Sequence, residues 1–172
     1  MTVRLRSAAI LALITAAACS PAPVYKGGGI VCRAGNWSSG ASTVSGPVTG
    51  SEYSMMNEIE SWIGTPYVYG GTTKTGVDCS GFTQAVYLAS GIEIPRTASQ
   101  QAEASTEIRP GNLQFGDLLF FNTSGSGISH CGIFLGNGFF VHASSSRGVV
   151  RETIAKPYYA TCLVQAGRFL QD

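Results

Sequence analysis

Charge is what this chain has least of. Lys, Arg, Asp and Glu make up 12% of its 172 residues, about half the share usual in soluble domains, and the formal net charge is +1. Such a chain lacks the clustered basic charge that phosphate neutralisation requires, which argues against nucleic acid as a main partner. Long apolar runs are also missing. The longest, Ala8 to Ala18, falls short of the roughly 20 residues a membrane-spanning helix needs. Histidine occurs twice, and no Cys or His pair stands at C-x-x-C or H-x-x-x-H spacing, as a zinc site would require. His130 and Cys131 are neighbours, and on a strand they would point to opposite faces rather than to one ion. Gly70 and Gly71 are followed by no Lys-Ser or Lys-Thr pair at the spacing of a phosphate-binding loop. No internal repeat is present.

The first residues carry a signal of their own. Arg4 and Arg6 precede the apolar run, and small residues then lead into Cys19, the layout of a secretory signal over residues 1–19. Small residues before a cysteine resemble the bacterial lipobox, in which cleavage leaves the cysteine as a lipidated N-terminus. Ala16 departs from that pattern, which usually has leucine there. The alternative is an ordinary secretory signal cut nearby, since Ala-Ala-Ala suits that peptidase too. Either reading places the protein outside the cytoplasm. Residues 20–51, with "SPAPVYKGGG" and "SSGASTVSGPVTG", hold too little apolar surface to offset chain entropy and read as a flexible tether. The folded domain is expected over residues 52–172.

Within it, Tyr53, Met56, Ile59, Trp62 and Ile63 recur at helical spacing up to Gly64. A second helix is expected from Cys79 to Ser90, capped by Asp78 and ended by Gly91, with Phe82, Val86 and Ala89 on one face. A short third helix follows from Ala98 to Ser105. Beyond it the pattern changes to "GDLLFFN", "SHCGIFLG", "GFFVHAS", "GVVRETI" and "CLVQAGRFL", short segments rich in β-branched and aromatic residues. Gly136-Asn137-Gly138 suits a hairpin turn. Helices first and strands later predict an α+β fold with an antiparallel sheet.

Five cysteines do not make a disulfide framework here. Cys19 is consumed by processing on the lipobox reading, Cys32 lies in the tether, and Cys79, Cys131 and Cys162 are too few to staple a domain of this size. For Cys79, buried packing is one reading, since free cysteine is among the most buried residue types. The other is a nucleophile. Cys79 opens a helix, where unpaired N–H groups and the macrodipole stabilise a thiolate. His130 and His142 fall on consecutive strands across one hairpin, so one can accept the thiol proton while the other orients it. On these arguments alone both readings stay open.

Four segments carry a resemblance. "GTPYVYGGTTKTGVDCSGF", "IPRTASQQ", "LQFGDLLFFNT" and "ISHCGIFLGNGFFVHASSSRGV" resemble, in order and spacing, the motifs of the NlpC-type cell-wall cysteine peptidases, from about Glu52 to Phe169. The resemblance implies a papain-like fold, with the nucleophile at a helix start packed on a mostly antiparallel sheet. It implies hydrolysis of amide bonds in peptidoglycan stem peptides, at D-glutamyl–diaminopimelate or D-alanyl–diaminopimelate, without metal or organic cofactor. Cys79 would be the nucleophile, His130 the base and His142 the orienting residue. Tyr67 would help hold the oxyanion, and Asp78 and Ser80 would line the substrate side. Arg96 matches a recurrent arginine of undefined role, and Cys131 replaces the usual valine as a core residue. The lipobox-like start resembles small lipoproteins of Gram-negative bacteria, which implies a periplasmic protein anchored through Cys19, in the outer membrane. The rival expectations are an acyltransferase or amidase using the same triad, and an inactive tethered wall-binding protein.

Overall fold

The computed structural model describes residues 50–169, so the expected signal, Cys19, Cys32 and nearly all of the expected tether lie outside the described residues. Helix α1 spans Gly50–Trp62. Its buried stripe is Met55, Ile59 and Trp62, at spacings of four and three. Ile59 and Trp62 are buried as expected, but Met55 takes the place of the half-buried Met56, and Tyr53 and Ile63 are exposed. After a small hairpin of β1 (Thr72–Thr73) and β2 (Gly76–Val77) comes α2 (Cys79–Ala89). Phe82 and Val86 are buried as expected, but Ala89 is exposed, and Thr83 and Tyr87 complete the inner face. Helix α3 (Ala98–Ala104) is capped by Thr97, whose hydroxyl accepts from the Gln100 N–H.

The rest of the chain builds the sheet. Its strands are β3 (Thr106–Glu107), β4 (Leu118–Phe121), β5 (His130–Gly136), β6 (Phe139–Ser144), β7 (Gly148–Thr153) and β8 (Leu163–Arg168). The spatial order is β3-β8-β4-β5-β6-β7, and every neighbouring pair is antiparallel. Asn137 and Gly138 turn β5 into β6 with positive φ (51° and 76°), the left-handed pair a two-residue hairpin needs. Between β7 and β8 lies a short helix that the sequence reading missed, α4 (Pro157–Cys162), begun by a proline at its first turn.

Alternation along the strands divides the core in two. Leu118, Phe120, Cys131, Ile133, Val141 and Ala143 pack with residues of α1, α2 and α3. Leu119, Phe121, Phe134 and Phe140 pack on the other face with Tyr159 and Cys162 of α4. Arg168, late in β8, donates to both carboxylate oxygens of the fully buried Asp117 (2.7 and 2.9 Å), tying the start of β4 to the end of the sheet.

Candidate active site

Asp78 organises the approach to α2. It is extended (φ −93°, ψ 176°), and its Oδ1 accepts from the Gly81 N–H at 2.7 Å, a helix cap. Its Oδ2 accepts from the Gly70 N–H at 2.9 Å, fastening the glycine turn to the same carboxylate. Arg96 donates through Nη1 to Oδ1 (2.9 Å), through Nη2 to Oδ2 (2.7 Å), and through Nη1 to Ser80 Oγ (2.9 Å). Burial works against the charged carboxylate, but the Arg96 bonds, then the Gly81 N–H, hold its pKa below the ordinary value. Gly81 must be glycine for a reason of space: a Cβ there would stand 2.4 Å from the Gly71 carbonyl oxygen. The glycines around the aspartate and cysteine thus let the turn and the helix start touch.

This entry delivers Cys79 to the first residues of β5. The thiol is 7% exposed and its pKa is driven well below the ordinary thiol value. The largest cause is the neighbouring Cys131 thiol; burial opposes it; the nearby His130 ring adds to it. The Cys131 thiol donates to Gln101 Oε1 at 3.5 Å and stands 3.7 Å from Thr83 Oγ1. Burial and the neighbouring sulfur push Cys131 itself up, so within the pair Cys79 carries the charge. Alternation along β5 holds at this point. His130 and Cys131 start on opposite faces, and both influence the Cys79 thiol because α2 begins beside the first residues of β5.

His130 Nε2 lies 2.7 Å from His142 Nδ1, which leaves His130 Nδ1 for the thiol. The two rings meet edge to face at 4.9 Å. Ile133 pairs with Val141, a register that sets His130 and His142 diagonally on one face. Gly132 makes room, since a Cβ there would meet the His142 Cβ at 3.0 Å. His142 is 2% exposed, and burial, then the charges of His130 and Arg147, lower its pKa to about 3. It is a neutral imidazole that can accept a proton-bearing nitrogen. Its other nitrogen, Nε2, is 3.1 Å from the Tyr159 hydroxyl. Tyr67, its hydroxyl pKa raised by burial and then by the Cys79 charge, lines a cavity of about 340 Å³ together with His130, His142, Arg147, Tyr158 and Tyr159.

The structure thus brings Cys79, His130, His142, Tyr67, Asp78 and Ser80 to one place, while Cys19 lies outside the described residues. It supplies the contacts of Arg96, whose role the sequence left undefined. Missed from the sequence were the influence of Cys131 on the Cys79 thiol and the Tyr159 partner of His142. Cys79 and Cys131 are free thiols. Among the described residues no group of three or more His, Cys, Asp or Glu side chains is placed to hold a metal ion.

Residues 64–168, the stretch that holds all of these groups, match the NlpC/P60 family. The chain belongs to that family. A second comparison gives 39% identity over 117 residues with murein DD-endopeptidase MepS/murein LD-carboxypeptidase of Escherichia coli K12, covering 67% of this chain and 62% of that protein. The gamma-DL-glutamyl hydrolase of Bacillus subtilis is 38% identical over 133 residues, 76% of this chain and 32% of its own length. Among solved structures, an NlpC/P60 family protein from Bacillus cereus superposes with a TM-score of 0.66 at 30% identity, over 73% of this chain and 42% of that one. The fold is accordingly the NlpC/P60, papain-like one, α+β with helices on a mostly antiparallel sheet. This NlpC/P60 chain thus spans less than two thirds of the length of each of these three proteins.

Proposed function

We propose that this protein is a peptidoglycan hydrolase, a cysteine endopeptidase that cleaves amide bonds in or between murein stem peptides. The observation that carries the reading is the hydrogen-bonded His130–His142 pair beside Cys79 at the start of a helix. His130 takes the thiol proton at Nδ1, and His142 Nδ1 accepts the His130 Nε2–H as the imidazolium forms. The thiolate attacks the acyl carbon. N–H groups of the first turn of α2, which the helix's own ladder leaves unclaimed, and the Tyr67 hydroxyl steady the oxyanion. His130 then protonates the leaving amine, and a water molecule, deprotonated by the same ring, releases the acyl group from the sulfur.

Two relatives indicate the substrate class. The MepS name speaks of murein DD-endopeptidase and LD-carboxypeptidase activity, the Bacillus subtilis name of gamma-DL-glutamyl hydrolysis. In both stem-peptide cuts considered for this chain the acyl donor is a D-residue and the leaving group an amine of diaminopimelate. Asp78 and Ser80, locked by Arg96, would line the acyl-donor side. Cys79, His130, His142 and Tyr67 all stand in place, which favours an active enzyme over a wall-binding protein. Purified protein incubated with defined muropeptides, followed by mass spectrometry, tests this. Hydrolysis at a diaminopimelate amine, lost in Cys79→Ala, is the expected result. Acyl-transfer products would move the reading to a transferase, and no turnover of any muropeptide would end it.

The proposal extends to place. The residue 1–19 signal with lipidation at Cys19, the tether over 20–51 and the domain over 52–172 would put the enzyme in the periplasm, held to the outer membrane and within reach of the wall. Among the described residues no helix is long and apolar enough to cross a membrane, so attachment would rest on the lipid. Mass spectrometry of the mature N-terminus decides it: a lipidated Cys19 is expected, and an unlipidated start at another residue would refute the anchor.

A further inference from the structure

His130, in delivering a proton to the leaving amine, fixes which way the two halves of a substrate must lie. The amine has to stand against the imidazole, and the rest of the leaving group has to run on from there. The cavity of about 340 Å³ offers that path, because its wall joins His130 and His142 to the turn formed by Ser144, Ser145, Ser146 and Arg147. Asp78 and Ser80, which would line the acyl-donor side, are not part of that wall. The cavity therefore belongs to the leaving group.

Charge is distributed unevenly between the two sides. On the acyl-donor side Arg96 is matched one to one, with both terminal nitrogens on the Asp78 carboxylate. On the cavity side one carboxylate is shared. Glu152 Oε2 accepts from Arg147 Nη2 at 2.6 Å and from Lys156 Nζ at 2.5 Å. Two cations on one carboxylate leave a positive charge unbalanced, and the next cation on β7, Arg151, pairs with Glu60 instead. Glu152 is 7% exposed and is not in the cavity wall, whereas the Arg147 side chain is 47% exposed and is. The acid is sunk behind the arginine, so a ligand in the cavity meets the guanidinium. That group carries five N–H donors in a plane, and the Glu152 bond engages Nη2, so donors remain for a second carboxylate.

The backbone under Arg147 is fixed. Its N–H donates to the Ser144 carbonyl at 3.3 Å, closing the turn between β6 and β7. Gly148, next in the chain, lies so close to the Thr65 carbonyl that a Cβ would collide with it, and the Val149 N–H donates to the same carbonyl at 2.9 Å. An anchored turn places the guanidinium before a ligand arrives. Ser144 Oγ and Ser146 Oγ stand 3.4 Å apart on this turn and add hydroxyl donors. Tyr158, also in the wall and set edge-on against Tyr159 at 5.1 Å, adds an aromatic surface suited to methylenes.

We propose that Arg147, with the serine turn it ends, is the subsite for a carboxylate on the leaving half of the substrate. In both cuts considered above the leaving residue is diaminopimelate, which joins amines and carboxylates through a short aliphatic chain. Lysine in its place would bring the chain without the second carboxylate. The proposal rests on the cysteine-peptidase reading and adds to it the group that selects the leaving residue.

The test gives full-length protein and its Arg147→Gln variant defined muropeptides in two forms, with the free carboxylate of the leaving diaminopimelate intact or converted to the carboxamide. The wild type should prefer the carboxylate about tenfold in kcat/KM, mostly through KM, the low end for a charge-assisted hydrogen bond because the arginine is half-exposed. In Arg147→Gln the ratio should fall to near one, and Arg147→Lys should recover part of it. Because the ratio is read, a general loss of activity in a variant cancels. A second substrate pair, amidated on the acyl-donor D-glutamate, covers the other source of a carboxylate, and its ratio should be the same in wild type and Arg147→Gln. A wild type indifferent to the leaving carboxylate, a preference that survives in Arg147→Gln, or an Arg147 dependence that follows the D-glutamate carboxylate would each overturn the proposal. Calorimetric titration of Cys79→Ala protein with the same peptides reads binding without turnover. It should show the same preference, absent when Arg147→Gln is added. Carboxylate-dependent binding with no hydrolysis by the wild type would reject the proposed function and leave this subsite standing. Hydrolysis without the preference would do the reverse, and neither binding nor hydrolysis would reject both.

Discussion

Arg96 holds both oxygens of the Asp78 carboxylate, Oδ1 from Nη1 at 2.9 Å and Oδ2 from Nη2 at 2.7 Å, in the paired geometry that a lysine could not reproduce. The carboxylate so held caps α2, fastens the Gly70 turn and faces Ser80. One arginine outside the histidine pair therefore fixes the direction from which Cys79 is presented. Arg96→Leu should lower stability by about 1–2 kcal/mol, less than for a fully buried pair because the guanidinium is a third exposed. The sign with pH follows from the lowered folded pKa of Asp78. Its contribution is complete above the unfolded carboxyl value and is lost as pH falls through the folded one. Thermal melts from pH 6 down to pH 2 should show a steeper acid-side loss in the wild type than in the variant. Parallel curves would mean that the pair adds nothing.

Cys131 provides the second expectation. Its thiol is the largest influence lowering the Cys79 pKa, and it is fully buried. Cys131→Val fills nearly the same volume, so the fold should hold, with a melting temperature within a few degrees. Without the neighbouring S–H group the Cys79 pKa should rise. The pH profile of iodoacetamide alkylation should move toward alkaline values, and activity at pH 6 should drop more than activity at pH 8. A profile identical to wild type would assign the activation to His130 and the helix start alone.

His142 gives the third. Its folded pKa of about 3 lies below the ordinary histidine value, so the unfolded chain binds a proton that the folded protein refuses. The resulting stability is present above the unfolded value of about 6.5 and is withdrawn as pH falls from there toward 3. His142→Asn removes that titration and should flatten the melting-temperature curve over this window. It should also keep part of the activity, because the amide oxygen still accepts the His130 Nε2–H, whereas His142→Ala keeps less and His130→Ala almost none. Equal losses in His130→Ala and His142→Asn would contradict a division of labour between the rings.

The meeting of Cys79, His130 and His142 was legible because each rests on a strong local rule. Asp78 before an apolar helical run marks a capped start, and a period of two around Gly136-Asn137-Gly138 brings both histidines to one face. The influence of Cys131 on the Cys79 thiol was not legible, since alternation along β5 does not say which helix begins beside its first residues. Tyr159 was hidden for another reason. Six residues are too few for a 3.6-residue period to declare itself, and "KPYYATC" reads equally well as a loop. Its one local hint, Pro157 followed by two tyrosines, shows that a helix can start there but not what its aromatic face will meet. In α1 the choice of Met55 over Met56 turned on one residue of phase, which adjacent methionines do not resolve.

The backbone around Gly64 and Thr65 has a consequence for crowding. The Gly64 N–H donates to the Val149 carbonyl, and the Val149 N–H donates to the Thr65 carbonyl, each at 2.9 Å. Val149 lies on β7, the outermost strand on one side of the sheet, so the segment that leaves α1 occupies hydrogen-bonding positions a foreign strand would need. Further along the same strand, Arg151 pairs with Glu60 of α1 and sets charge on the rim. An open strand margin recruits strands from neighbouring copies, and recruitment grows with local concentration. A protein gathered at high density on a surface gains most from closing that margin. Here the edge positions at Val149 are taken by the connection that carries the chain from α1 to Tyr67, so the same few residues cover a strand margin and lead into the site.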